Sequence, residues 1–153
     1  MGLLSFLKGA GAKVFGKSEE KKDEEKADLI REHVKRYGFL VEDLKFSVNG
    51  ERLTLSGKVD TLEIKNKVIV AAGNIEGISE VDDLLEVKNP PAEPEPENQF
   101  YTVQKGDTLS KISKQYYGNA NKYPIIFEAN KPMLKSPDLI YPGQMLLIPP
   151  IKD

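Results

Sequence analysis

The chain has 153 residues, with 22 Lys and Arg against 24 Asp and Glu, a formal net charge of −2 and no cysteine. That length admits one domain or two small ones, and the lack of cysteine excludes a disulfide framework and any thiolate metal site. Charge is unevenly spread: residues 1–17 hold three lysines and no acid, residues 18–98 twelve basic and twenty acidic residues, and residues 99–153 seven lysines and four acids. The acidic middle reads as solvated helix faces and a solvated spacer rather than as a surface that gathers cations.

In chain order, "MGLLSFLKGAGAKVFGK" comes first. Leu3, Leu4, Phe6, Leu7, Ala10, Val14 and Phe15 fall close to helical spacing, which predicts a short N-terminal helix over residues 1–16. Gly9 and Gly11 bend or end it, and its thin polar face favours docking on the protein over lying on a membrane. Lys8 interrupts the apolar run after six residues, so the pattern of an export signal is missing. No stretch approaches the roughly 18 apolar residues of a membrane span. The expectation is a cytoplasmic protein without stable membrane insertion.

After the apolar-free "KSEEKKDEEK", the segment "ADLIREHVKRYGF" places Leu29, Ile30, His33, Val34 and Tyr37 on one helical side, and Gly38 supplies a stop. Leu44, Phe46 and Val48 then alternate, followed by Asn49-Gly50 and by Leu53 and Leu55, which predicts a hairpin. "TLEIKNKVIVAAGN" reads as a helix capped by Asp60, and "SEVDDLLEVK" as a strand. "NPPAEPEPEN" is an extended, self-repelling linker over residues 89–98. Beyond it "FYTVQKG" predicts a strand. "DTLSKISKQYYG" predicts a helix capped by Asp107 or Thr108 and stopped by Gly118. "KYPIIFEANK" predicts a second helix, and "QMLLIPP" a closing strand held to an edge or terminus by Pro149 and Pro150. The fold class is α+β, in two minimal units.

Catalytic signals are lacking. His33 is the sole histidine, there is no cysteine, and no nucleotide-binding glycine pattern is present. The expectation is a binding protein, not an enzyme, with no nucleic-acid partner, acting as a monomer.

The stretch "YTVQKGDTLSKIS … YGNANKYPIIFEANK … LIYPGQMLLIP" resembles a LysM domain, here residues 99–151, and implies a βααβ fold. In that family a groove binds N-acetylglucosamine chains. By position it would involve Gly106, Asp107, Thr108, Leu109, Asn130, Ile140 and Tyr141. Residues 22–88 resemble a BON domain, αββαβ, through Val48, Gly57-Lys58-Val59, Ala71 and "IEGISEVDDLLEV". Together with the N-terminal stretch, the combination resembles a family of small bacterial BON/LysM potassium-binding proteins.

That resemblance implies K⁺ as the ligand, bound by backbone carbonyls of Leu7, Ala10 and Ala12 from one segment and Gly73, Ile75 and Ile78 from another. It implies a K⁺ sensor or buffer that becomes more compact on binding. The chemistry is consistent. Carbonyl dipoles replace the hydration shell of a large monovalent ion, and helix C-termini offer carbonyls without intrahelical partners at the negative end of the dipole. In "AGNIEGISEVDD" the expectation is that Gly73 closes the helix and Gly77 permits a second reversal, with Ile75 and Ile78 turned inward. The alternative is a peptidoglycan- or glycan-binding, envelope-associated adaptor that uses both domains in their usual roles.

Overall fold

The computed structural model describes residues 2–6, 22–75, 77–89 and 99–149. Along the chain run β1 (Gly2–Ser5), α1 (Asp23–Lys35), β2 (Val41–Asn49), β3 (Arg52–Val59), α2 (Leu62–Gly73), β4 (Glu80–Val87), β5 (Gln99–Thr102), α3 (Leu109–Tyr117), α4 (Tyr123–Ala129) and β6 (Met145–Ile148). The linker residues 90–98 lie outside the described residues.

The first unit is a four-stranded sheet in the order β1-β4-β3-β2. β2 and β3 form the expected antiparallel hairpin. Its turn sits one residue later than the Asn-Gly pair suggests, because Asn49 pairs with Arg52 and leaves Gly50-Glu51 as the loop. Gly50 has a φ of 64°, so a glycine with positive φ leads a two-residue hairpin loop. From β3 the chain crosses through α2 to β4, which runs parallel to β3, the connection that a parallel pair requires. Thr61 rather than Asp60 caps α2: its Oγ1 accepts a hydrogen bond from the Ile64 N–H at 3.3 Å. Ile30 and Val34 of α1, Val68, Ile69 and Ala72 of α2, and Leu53, Leu55 and Val81 of the sheet are buried in one cluster.

The N-terminal residues depart from the predicted helix. Gly2–Ser5 form β1, antiparallel to β4, with Leu3 opposite Asp82 and Leu4 opposite Val81. The reason is the edge. β4 has β3 on one side only, and without β1 its other side would present a row of unpaired N–H and C=O groups. Sheet pairing thereby overrides a helical apolar spacing that contains Gly2. The rest of the expected helix, residues 7–16, lies outside the described residues.

The second unit pairs β5 with β6 antiparallel and packs α3 and α4 on that pair. Thr108, not Asp107, caps α3, its Oγ1 accepting from Lys111 N–H at 3.1 Å. Asp107 instead accepts from the Gln104 N–H at 2.8 Å and from the Tyr101 hydroxyl. Gly118 stops α3 in the left-handed region, φ 74°. All four residues of β6 are buried. Leu146 and Ile148 face the core of their own unit. Met145 and Leu147 belong to the buried cluster of the first unit, against which Phe100, Ala129 and Met133 also pack. β6 is thus a strand with a core on each face, which is why it reads Met-Leu-Leu-Ile without alternation.

Candidate functional site

The turn after α2 is built by packing and by bent backbone together. Gly73 lies inside α2 as its last residue and does not close the helix by itself; the cap is Asn74, whose N–H donates to Val70 O at 3.0 Å. The glycine has another cause. A Cβ at position 73 would lie 2.1 Å from Cζ of Phe6 and within 2.5 Å of two further ring atoms, so the bare backbone is the seat of that ring. Phe6 is buried, and its N–H donates to Ser79 O at 2.8 Å. The second glycine does what the sequence suggested. Gly77 has a φ of 104°, a value that side-chain-bearing residues rarely adopt, and the chain reverses there so that Ile78 N–H donates to Ile75 O at 3.1 Å. Ile75 and Ile78 are fully buried.

The three expected ligands from this segment, Gly73, Ile75 and Ile78, therefore sit within one tight turn. Among the described residues, the carbonyls of Gly73 and Ile78 accept no backbone hydrogen bond. Ile75 O accepts one, from Ile78 N–H. No basic residue occupies the last turn of α2, so no lysine or arginine of that turn competes for the negative end of the helix. Among the described residues no group of three or more His, Asp or Glu side chains is gathered as for a metal. The nearby buried Asp83 is engaged: one oxygen accepts from Leu85 N–H at 2.9 Å and the other lies 3.2 Å from Lys65 Nζ. A cation at this turn would be met by main-chain oxygen shielded by isoleucine, a donor set suited to a large, weakly hydrated monovalent ion. Leu7, Ala10 and Ala12 lie outside the described residues. Phe6, the residue immediately before them, is the one seated on Gly73.

The same turn meets the second unit. Asn74 Nδ2 donates to Met145 O at 2.8 Å, and Met145 N–H donates to Asn74 Oδ1 at 2.9 Å. Beside this seam lies a cleft of about 240 Å³ whose lining includes His33, Tyr37, Asn74, Lys135, Tyr141 and Gln144. His33 Nε2 is 3.4 Å from the Tyr37 hydroxyl. Burial, and then the charge of Arg36, push the His33 pKa below its ordinary value. Burial, with Tyr37 adding to it, pushes Tyr141 up to about 12. Nothing in the sequence singled out this seam beyond an Asn that reads as an ordinary helix stop.

The expected glycan-groove residues divide. Asp107, Thr108, Leu109 and Ile140 line one cleft of about 360 Å³, together with Tyr123 and Asp138, which the sequence reading did not include. Gly106 takes the positive φ of the preceding turn, 88°, and is not part of the lining. Tyr141 lines the seam with the first unit instead. Asn130 is buried, with both amide hydrogens bonded. Its Nδ2 donates to Ile126 O at 2.7 Å and Leu147 O at 2.9 Å, and its Oδ1 accepts from Leu147 N–H at 2.8 Å. An amide so used holds β6 in place.

The family model described as BON domain matches residues 22–89, and that described as LysM domain matches residues 101–149. The fold is therefore that of a two-domain BON–LysM protein. Over 151 residues, 97% of this chain and 99% of the relative, it is 49% identical to Potassium binding protein Kbp of Escherichia coli O6:H1, and the chain belongs to the family of that protein. Shorter likenesses are 51% identity over 49 residues to an uncharacterized protein of Deinococcus radiodurans, covering 32% of this chain and 19% of the relative, and 44% over 48 residues to an esterase of Mycobacterium tuberculosis, covering 31% and 10%.

Proposed function

We propose that this protein binds K⁺ through main-chain carbonyls, as a cytoplasmic sensor or buffer, and that it does no catalysis. The ligands are carbonyls of Gly73, Ile75 and Ile78 from the turn after α2 and of Leu7, Ala10 and Ala12 from the segment that follows Phe6. The observation that carries the reading is the seating of Phe6 on Gly73, because it delivers the chain just before Leu7 to the carbonyl-rich end of α2. The identity of the ion is supported by the whole-length likeness to a relative whose name states potassium binding. Binding favours a compact state in proportion to the ion's preference for that state, and the BON and LysM units close on each other as a monomer.

Calorimetric titration of the full chain with KCl, NaCl and a chitooligosaccharide tests this. Heat with KCl and none with NaCl is expected; no heat with KCl refutes it. The glycan reading has one observation in its favour, the gathering of Asp107, Thr108, Leu109 and Ile140 around a single cleft, and heat with the sugar alone would select it.

A further inference from the structure

We infer that Asn74 is the residue through which the cation turn and the docking of the LysM unit act on one another; the inference rests on the potassium reading above. Asn74 stands between two of the ion's carbonyl ligands, Gly73 and Ile75. Its own backbone closes α2, while its side chain leaves the turn and bonds both main-chain groups of Met145.

The meaning of that contact comes from β6. One edge of β6 pairs with β5. On its other edge, two residues beyond Met145, Leu147 has its N–H and C=O bonded by the amide of Asn130 in the same two-way pattern. Both asparagines are the caps at the C-termini of their helices, Asn74 after α2 and Asn130 after α4. The free edge of the closing strand is therefore completed by two amides standing in for a third strand. Asn130 belongs to the same unit as β6 and is present whether or not the units touch. Asn74 reaches Met145 only when the LysM unit is docked.

The turn thus has two clients. Its main chain faces the ion, and the side chain of Asn74 faces the strand. Fixing the turn around K⁺ fixes the amide in the position that completes the edge, and completing the edge holds the turn in its ion-binding shape. Linkage makes the effect reciprocal: whatever factor docking adds to K⁺ affinity, K⁺ adds to docking.

The test compares the full-length parent with Asn74→Ala and Asn74→Asp, by KCl calorimetry and by the radius of gyration from small-angle scattering across the same titration. Asn74 has a φ of −80°, open to alanine, so the substitution removes the contact with Met145 without itself straining the backbone of the turn. The expected result for Asn74→Ala is a K⁺ affinity about tenfold weaker, within the ordinary range of coupling between sites, and a radius of gyration that no longer contracts with K⁺. Asn74→Asp keeps an acceptor for Met145 N–H but sets a carboxylate against Met145 O. It is expected to lose contraction as alanine does, and far-UV circular dichroism of both variants verifies that each unit is folded. If affinity and contraction both stay within twofold of the parent, the inference is overturned. It is also overturned if only one of the two changes, since coupling requires them to move together. A parent that gives no heat with KCl sinks the potassium reading itself, and the inference with it.

Discussion

Replacing Gly73 with alanine tests the seat on which the candidate site depends. The added Cβ would lie 2.1, 2.4 and 2.5 Å from three atoms of the Phe6 ring, all far inside contact distance, so the ring must leave or the helix end must shift. Phe6 is 8% exposed, and returning a buried aromatic to water costs about 2 kcal/mol. Against this, alanine in place of glycine favours the helix by up to about 1 kcal/mol. The expected net loss is about 1–2 kcal/mol, in the usual range for overpacking, read from urea-induced unfolding. The companion background is Phe6→Ala. With the ring gone the three nearest atoms are removed, and the same substitution should stabilise by about 1 kcal/mol, giving a coupling of about 2–3 kcal/mol across the cycle. K⁺ affinity should fall in Gly73→Ala along with stability, because displacing Phe6 displaces the segment behind it. Stabilisation by Gly73→Ala in both backgrounds, with K⁺ affinity intact, would show that position 73 is an ordinary helix residue and would refute the reasoning.

Two further outcomes are expected. Asn130→Ala strands Leu147 N–H and Leu147 O inside the second unit, at about 1–3 kcal/mol for each unpaired group, and should strongly lower the thermal midpoint of the LysM unit as followed by tyrosine fluorescence. Acidification should loosen the seam between the units. The native His33 pKa lies below the ordinary 6.5, so the open or unfolded chain takes up the proton first and stability falls as pH drops through 6.5. It stops falling below the native pKa, and the slope is shallower than the roughly 1.4 kcal/mol per pH unit of a full proton. A proton on His33 would face Arg36 and Tyr37 beside it and Lys135 and Tyr141 across the cleft. His33→Gln should flatten the dependence in melts from pH 7.5 to 5, and an unchanged slope would assign it elsewhere.

Much of this architecture is legible in the residues, and the failures share a cause. Helices α1 to α4 and strands β2 to β6 announce themselves by apolar period and by turn residues, because each is decided locally. β1 does not, since its conformation is decided by the open edge of β4, which no local spacing records. Gly73 is visible as a glycine, but its reason is a ring 67 positions earlier in the chain. Asp107, Thr108 and Leu109 are named by the LysM resemblance, and a turn and a helix cap set them side by side along one cleft. Asn130 is named by the same resemblance, but its bonds into β6 are not legible, because an asparagine at a helix end looks the same whether its amide points to solvent or into a strand. Asn74 is hidden for the same reason: a helix-ending asparagine carries no mark of the partner 71 residues away that it bonds. The one overlooked signal is Met145–Ile148. Four consecutive apolar residues in a strand that must close a thin two-stranded sheet require a core on both faces, and only the other unit can supply the second.

On the potassium reading, that second face decides how ion binding and stability are related. A BON unit of this size buries a thin core, and here its buried cluster includes Phe6 from one end of the chain and Met145 and Leu147 from the other. Both contributions converge on the end of α2, Phe6 against Gly73 and Met145 against Asn74. On the potassium reading, an ion held at that end ties down the segments that complete the core. It therefore adds stability by mass action, about 2.7 kcal/mol at a hundredfold excess of ligand over the dissociation constant. A conventional carboxylate cage placed elsewhere on the surface would add the same free energy without drawing the two ends of the chain together. On that reading, main-chain oxygens placed where the segments meet would make the conformational response part of the binding site itself. The thermal midpoint should then rise with KCl in the parent and rise less in Gly73→Ala and Asn74→Ala, each of which cuts one of the two connections.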